Sequence, residues 1–254
     1  MTQADQYIQA VINRHKFDED NATPNQIRRQ LMDPLRQWAG PNLESVTLSG
    51  SIPKGTALRS SDAAGGGSDI DLFVSLNPAT PGKLSEIHTS LANHFRNYQP
   101  QPRNVSLRIT FQNQSIDLVP ARRRENGTAH TLWQQRHNTW LQTDIGVQLR
   151  HIQQSGLQNE IRALKIWRAR NTLKFPSFLL ELTVIRALKP APSLSESFQK
   201  LLRYLSKDFE TATLTDPANT NNVVSAQLTA EEKHRISTAA DRSLQAASWP
   251  EIIS

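Results

Sequence analysis

Residues 43–76 read LESVTLSGSIPKGTALRSSDAAGGGSDIDLFVSL, and residues 115–119 read SIDLV. Leu43 to Leu48 is a short strand-like run that ends in the small pair Gly50-Ser51, the mark of a strand entering a tight turn. Residues 69–76 give a second strand. Side chains two apart on a strand share a face, so Asp69 and Asp71 converge while Ile70, Leu72, Val74 and Leu76 turn to the core. Asp117 supplies a third carboxylate from a later strand. Like charges so close shift one another's pKa unless a cation lies between them. A divalent ion carrying a triphosphate suits such a site, because Mg²⁺ prefers carboxylate and phosphate oxygens. The pattern therefore points to nucleotidyl transfer, with two Mg²⁺ (or Mn²⁺) ions held by Asp69, Asp71 and Asp117. Gly50 lets the backbone approach phosphate closely, and Ser51 offers a hydroxyl to the β- or γ-phosphate.

Composition sets the outer limits. The chain has 254 residues, 37% of them hydrophobic and 20% charged, enough for one large domain or two modest ones with a real core. It has no cysteine, which excludes disulfides, thiolate-bound zinc and thiol nucleophiles. The start, MTQADQYIQA, lacks a secretory pattern, and the most apolar stretch, Phe178 to Leu188, is too short to span a bilayer. The expectation is a soluble cytoplasmic protein that does not engage a membrane. A net charge of +6 suits a polyanionic ligand, nucleic acid or nucleoside triphosphate. None of the seven histidines has metal-ligand spacing with another.

Periodicity predicts helices over 3–15, 25–38 and 82–98, then 136–153, 157–170, 177–188, 194–206 and 229–246. Val105, Leu107, Ile109 and Phe111 alternate with polar residues and form a hairpin with the Asp117 run. Ser60 to Ser68 (SSDAAGGGS) reads as a glycine-rich flexible loop and 211–222 as a second loop. Arg122, Arg123 and Arg124 follow the Asp117 strand. They read as a solvated face in preference to a contact with an acceptor nucleotide or RNA backbone.

The wording LSGSIPKGTALRS…SDIDLFVSL with SIDLVPA resembles the polymerase-β-type nucleotidyltransferases. It is closest in pattern to oligoadenylate synthases and to the bacterial cGAS/DncV-like enzymes, the CD-NTases. The resemblance implies an α+β fold with two parts. A polymerase-β-like nucleotidyltransferase core, a mixed sheet with helices, would span 1–135 and include the N-terminal helices. A helical oligoadenylate-synthase-like domain would span 136–254, with the active site in the cleft between. It also implies that the metal ligands are Asp69, Asp71 and Asp117. The spacing departs from the family pattern: seventeen residues separate Ser51 from Asp69, and the excess reads as a tolerated insertion.

A second stretch, LQNEIRALKIWRARNTLKFPSFLLELTVIRAL, is similar to the start of the family's helical domain. By that resemblance Lys165 and Ser177 grip the donor triphosphate and Phe178 stacks on the base. Ser177 follows Pro176 at a helix start, a place that favours anions. Trp140 and Thr143-Asp144 also match the family and read as structural.

The function expected is condensation of nucleoside triphosphates, ATP among them, into a cyclic or short linear oligonucleotide messenger. Such a product would serve bacterial antiphage signalling through a separate effector, with a nucleic-acid or protein activator left open. The rivals are an RNA-end nucleotidyltransferase (tRNA CCA-adding-like or toxin-like) and a non-catalytic RNA sensor of the same fold.

Overall fold

The computed structural model describes residues 2–18, 20–59, 69–189 and 193–254. The glycine-rich segment Ser60 to Ser68, with its reading as an insertion, lies outside them. The chain begins with α1 (Gln3–His15), α2 (Thr23–Ala39) and β1 (Leu43–Ser49). Then come β2 (Ile70–Leu76), α3 (Leu84–His94), β3 (Gln101–Pro102), β4 (Leu107–Phe111) and β5 (Gln114–Arg123). The hairpin β6 (His130–Gln134) and β7 (Thr139–Thr143) leads into α4 (Ile145–Gln154), α5 (Gln158–Arg170), α6 (Ser177–Ala187) and α7 (Leu194–Lys207). A short ribbon, β8 (Thr215–Asp216) and β9 (Asn219–Val223), precedes α8 (Ala230–Leu244) and α9 (Trp249–Ile252).

The chain packs as two compact units that interleave along the sequence. Of the described residues, those in Met1–Phe17, Lys54–Ser68 and Gln148–Ser254 form a helical unit, and those in Asp18–Pro53 and Asp69–Val147 form a sheet unit. The sheet unit holds a sheet of order β1-β2-β5-β4-β3, with β6 on β5 and β7 on β6. Only β2 and β5 run parallel among these pairs, so the sheet is mixed. Gln112 and Asn113 both have positive φ, the backbone of a two-residue turn that fixes the β4–β5 register. One sheet face buries Ile70, Leu72, Val74, Ile109, Ile116 and Leu118 under Leu31 and Leu35 of α2 and Leu91 of α3. The other carries a small cluster of Phe73, Ala121 and Leu132.

The helical unit has a core of its own, built from α1, α5, α6, α7 and α8 around the fully buried Trp167 and Phe198. α1 belongs here because Ile8, Val11 and Ile12 are its buried stripe. Its start is a capping box between Thr2 and Asp5, and Asp5 also accepts from the Ser195 N–H at 2.8 Å. Burial opposes ionisation there, but the Ser195 and Thr2 N–H donors hold the Asp5 carboxyl well below its ordinary range.

Three sequence expectations are corrected. The helix expected over 136–153 begins only at Ile145, because Thr139-Trp140-Leu141-Gln142-Thr143, rich in β-branched and aromatic residues, pairs with β6. The β6–β7 hairpin spans residues 130–143, and the N-terminal helix α1 packs with the C-terminal helices. The loop expected over 211–222 contains the β8–β9 ribbon. Trp140 is 58% exposed and so fills no core, whereas Asp144 caps α4 through the Val147 N–H at 3.1 Å.

Candidate active site

The register of the sheet brings the three aspartates together. Asp71 stands directly opposite Asp117 across the parallel β2–β5 pair, and Asp69 immediately precedes β2. All three project from the face opposite the α2 and α3 core, because their neighbours Ile70, Leu72, Ile116 and Leu118 point the other way. Ser49 pairs with Asp71, so the Gly50-Ser51 turn emerges beside the carboxylates. Gly50 has φ +68°, and a Cβ built there would overlap the Asp71 carboxylate. The missing side chain thus makes room for Asp71 itself.

Between two of the acids lies a residue that is not among the site residues expected from the sequence. Arg108 pairs with Asp117 across β4–β5 and donates from Nε to Oδ1 at 3.0 Å and from Nη2 to Oδ2 at 2.8 Å. Its Nη2 also donates to Asp69 Oδ2. A two-pronged guanidinium–carboxylate contact of this kind fixes orientation as well as charge. Burial pushes the Asp69 carboxyl up, Arg108 opposes that shift, and the Asp117 charge adds to it. The hydrogen bond to Asp117, reinforced by the charges of Asp117 and Asp69, holds Arg108 protonated more firmly than an ordinary arginine. The available signal was the alternation of β4, which puts Arg108 on the polar face, though only the register names its partners.

As the side chains stand, no three acidic or histidine groups among the described residues converge to hold a metal ion. The cation shared by Asp69 and Asp117 is Arg108. The donor chemistry of the three acids nevertheless fits a hard divalent ion, since every ligand on offer is a carboxylate oxygen on one sheet face.

Lys165, Ser177 and Phe178 lie in the helical unit. Lys165 is 4% exposed, and its ammonium donates to Glu181 Oε1 at 3.1 Å, Thr56 Oγ1 at 2.9 Å and the Thr56 carbonyl at 3.1 Å. Lys54 donates to the other Glu181 oxygen at 2.9 Å, and Thr56 donates to Oε1 at 2.9 Å. Burial by itself would raise the Glu181 carboxyl, but the charges of Lys165 and Lys54 and their hydrogen bonds overcome it and hold Glu181 ionised, well below the usual range. Burial lowers the Lys165 ammonium, and Glu181 opposes that. Two lysines on one glutamate leave this buried cluster a net positive charge.

Ser177 is the first residue of α6 and is exposed; its hydroxyl accepts from Arg168 Nη1 at 3.2 Å. Arg168 lies one turn beyond Lys165 on α5, so the cation beside Ser177 is Arg168. Phe178 is half-buried against the helical core, and the Lys54 ammonium sits 4.8 Å from its ring centroid. Neither Glu181 nor Arg168 has a role in the site expected from the sequence. A lone glutamate inside the apolar run Phe178 to Leu188 was the signal for the first.

Solved structures share this architecture. The chain is similar to CdnC of E. coli MS115-1, seen in a complex with HORMA-deltaN, with TM-score 0.76 and 21% identity over 94% of this chain and 89% of that one. The polymerase-β-like nucleotidyltransferase fold is shown. The CD-NTase likeness extends to the CdnE cyclic dinucleotide synthase of Elizabethkingia meningoseptica, with TM-score 0.69 and 13% identity over 95% of this chain and 99% of that one. Cid1 poly(U) polymerase has the same fold, with TM-score 0.66 and 14% identity over 97% and 95%. No protein-family profile and no curated protein matches the sequence. No described helix of the chain is long and apolar enough to cross a membrane.

Proposed function

We propose that this protein is a metal-dependent nucleotidyltransferase that condenses nucleoside triphosphates, ATP among them, into a cyclic or short linear oligonucleotide. The observation that carries the reading is the Asp71–Asp117 register pair with Asp69 alongside and Gly50 cleared for Asp71. Asp69, Asp71 and Asp117 are the residues proposed to hold two Mg²⁺ or Mn²⁺ ions, which when bound would activate the attacking hydroxyl and neutralise the leaving group. In the reaction the hydroxyl oxygen forms a bond to the α-phosphorus, the bond to the β-phosphate oxygen breaks, and pyrophosphate leaves. The hydroxyl proton passes to solvent. Arg108 orients Asp117 for this work. Gly50 and Ser51 are proposed to meet the triphosphate at the turn, and Ser177 and Phe178 to contact the donor nucleotide from α6. Lys165, held by Glu181 and Thr56, is proposed to contribute positive charge to that grip. The likeness to CD-NTases supports a second-messenger product acting on a separate effector in antiphage defence, in the cytoplasm.

The likeness to Cid1 favours one alternative, addition of nucleotides to an RNA end. Both readings meet the same experiment. The protein is incubated with all four labelled nucleoside triphosphates and Mg²⁺ or Mn²⁺, with and without an RNA primer, and the products are resolved. Small, phosphatase-resistant oligonucleotides formed without primer are the expected result. Primer extension alone would replace the reading with the alternative, and no pyrophosphate release with either metal would overturn both. Asp71→Asn is expected to lower turnover by at least about a thousandfold while the melting temperature stays within a few degrees.

A further inference from the structure

The sheet unit carries a second set of chemistry-bearing side chains, away from the aspartates and unused by the proposed reaction. β6 and β7 pair Trp133 with Trp140 and Thr131 with Gln142, so all four share a face, with Leu132 and Leu141 on the other. Arg122 pairs with Thr131 on the same side, and the Arg124 guanidinium donates to the Gln142 side-chain oxygen. Trp140 is 58% exposed, and Trp133 beside it is half-buried. Gln142, which holds the Arg124 head group, is two residues from Trp140, roughly 7 Å along the same face of the strand. A groove of about 330 Å³ adjoins this face, lined by Arg122, Arg123, Arg124, Pro78, Asn126 and Thr131, with Glu125 also in its lining.

The charges in the groove are not equivalent. Arg123 is neutralised by Glu44, which accepts from its Nε at 2.8 Å and its Nη2 at 2.8 Å. Arg122 donates to the carbonyls of Thr80 and Gly82, both at 2.9 Å, and Arg124 to Gln142. Among the described residues neither makes an ion pair with an acid, so both keep their charge for a ligand. An exposed aromatic plane beside uncompensated guanidinium groups matches a strand of nucleotides, with bases stacked on indole and phosphates on arginine. A duplex hides its base faces and does not match. Arg122 lies five residues beyond Asp117 on β5, roughly 17 Å along the strand, so the face is separate from the three aspartates.

We propose that the outer face of the β6–β7 hairpin, with Trp140, Trp133, Arg122 and Arg124, is a binding site for single-stranded nucleic acid. The proposal stands independently of the condensation reaction. The test is fluorescence anisotropy of the whole protein with labelled single-stranded RNA, the same sequence as DNA, and the matching duplex. The variants are Trp140→Ala, Arg124→Ala and, as a remote control, Arg36→Ala on the exposed face of α2. Trp140→Ala is expected to weaken single-strand binding on the order of tenfold. Arg124→Ala should lower the log–log salt slope by about 0.7, the value for one phosphate contact on a single strand. Arg36→Ala and Asp71→Asn should bind as the parent does, and whichever of RNA or DNA binds tighter names the natural source. Equal binding of duplex, no effect of Trp140→Ala in a variant with unchanged melting temperature, or loss of binding in Asp71→Asn would each overturn it. So would an absence of oligonucleotide binding, including the case where the Trp140 face instead engages a protein.

Discussion

Gly50 follows β1 where a side chain would collide with the Asp71 carboxylate, and its φ of +68° is one that L side chains rarely adopt. Gly50→Ala is therefore expected to displace Asp71 as well as strain the turn. Turnover should fall by at least about a hundredfold, with a loss of about 1–3 kcal/mol in urea unfolding. A variant with parental activity would show that the Asp71 position does not matter. That Gly50 mattered was legible from its place after a strand, but the reason was not, because contact with Asp71 depends on β1 pairing antiparallel to β2. Arg108 is the reverse case. It was visible as one polar position in an alternating strand, and only the β4–β5 register makes it the bidentate partner of Asp117.

At the scale of elements, α5 and α6 meet through one buried carboxylate. Glu181 holds Lys165 from α5 and Lys54 from the segment after the turn, so its removal leaves two ammonium groups without a counter-charge. Glu181→Gln is expected to destabilise the protein by about 3–5 kcal/mol. The parent should also show a pH dependence that the variant lacks. The folded Glu181 pKa is depressed to about 2 from an ordinary value of 4.5, so its contribution is complete above 4.5 and is lost as pH falls toward 2. Denaturant midpoints across that window measure it, and identical acid sensitivity in parent and variant would contradict the account. α5 and α6 themselves were plain in the sequence from their apolar spacing. The strand β7 was not, since a five-residue run beside an amphipathic helix reads as its first turn until β6 is there to pair with it.

Across the whole molecule, the two units interleave: α1 is first in the chain yet contributes Ile8, Val11 and Ile12 to the core of the C-terminal helices. Ile12→Ala is expected to cost about 2–5 kcal/mol, as a fully buried side chain does, and to raise hydrogen exchange in α5 and α7. If exchange rose only in the sheet unit, the packing of α1 would be misassigned. By itself the sequence determined the strand that carries Asp71 directly after Asp69, the hairpin carrying Asp117, and most helices, because these rest on local periodicity and turn chemistry that a single segment contains. Tertiary structure decided which side chains face one another: Asp71 across from Asp117, Arg108 between two acids, Lys165 buried on Glu181, and Trp140 exposed beside Arg124. Those pairings depend on strand register and helix packing, which join residues far apart in the chain and which no local pattern encodes.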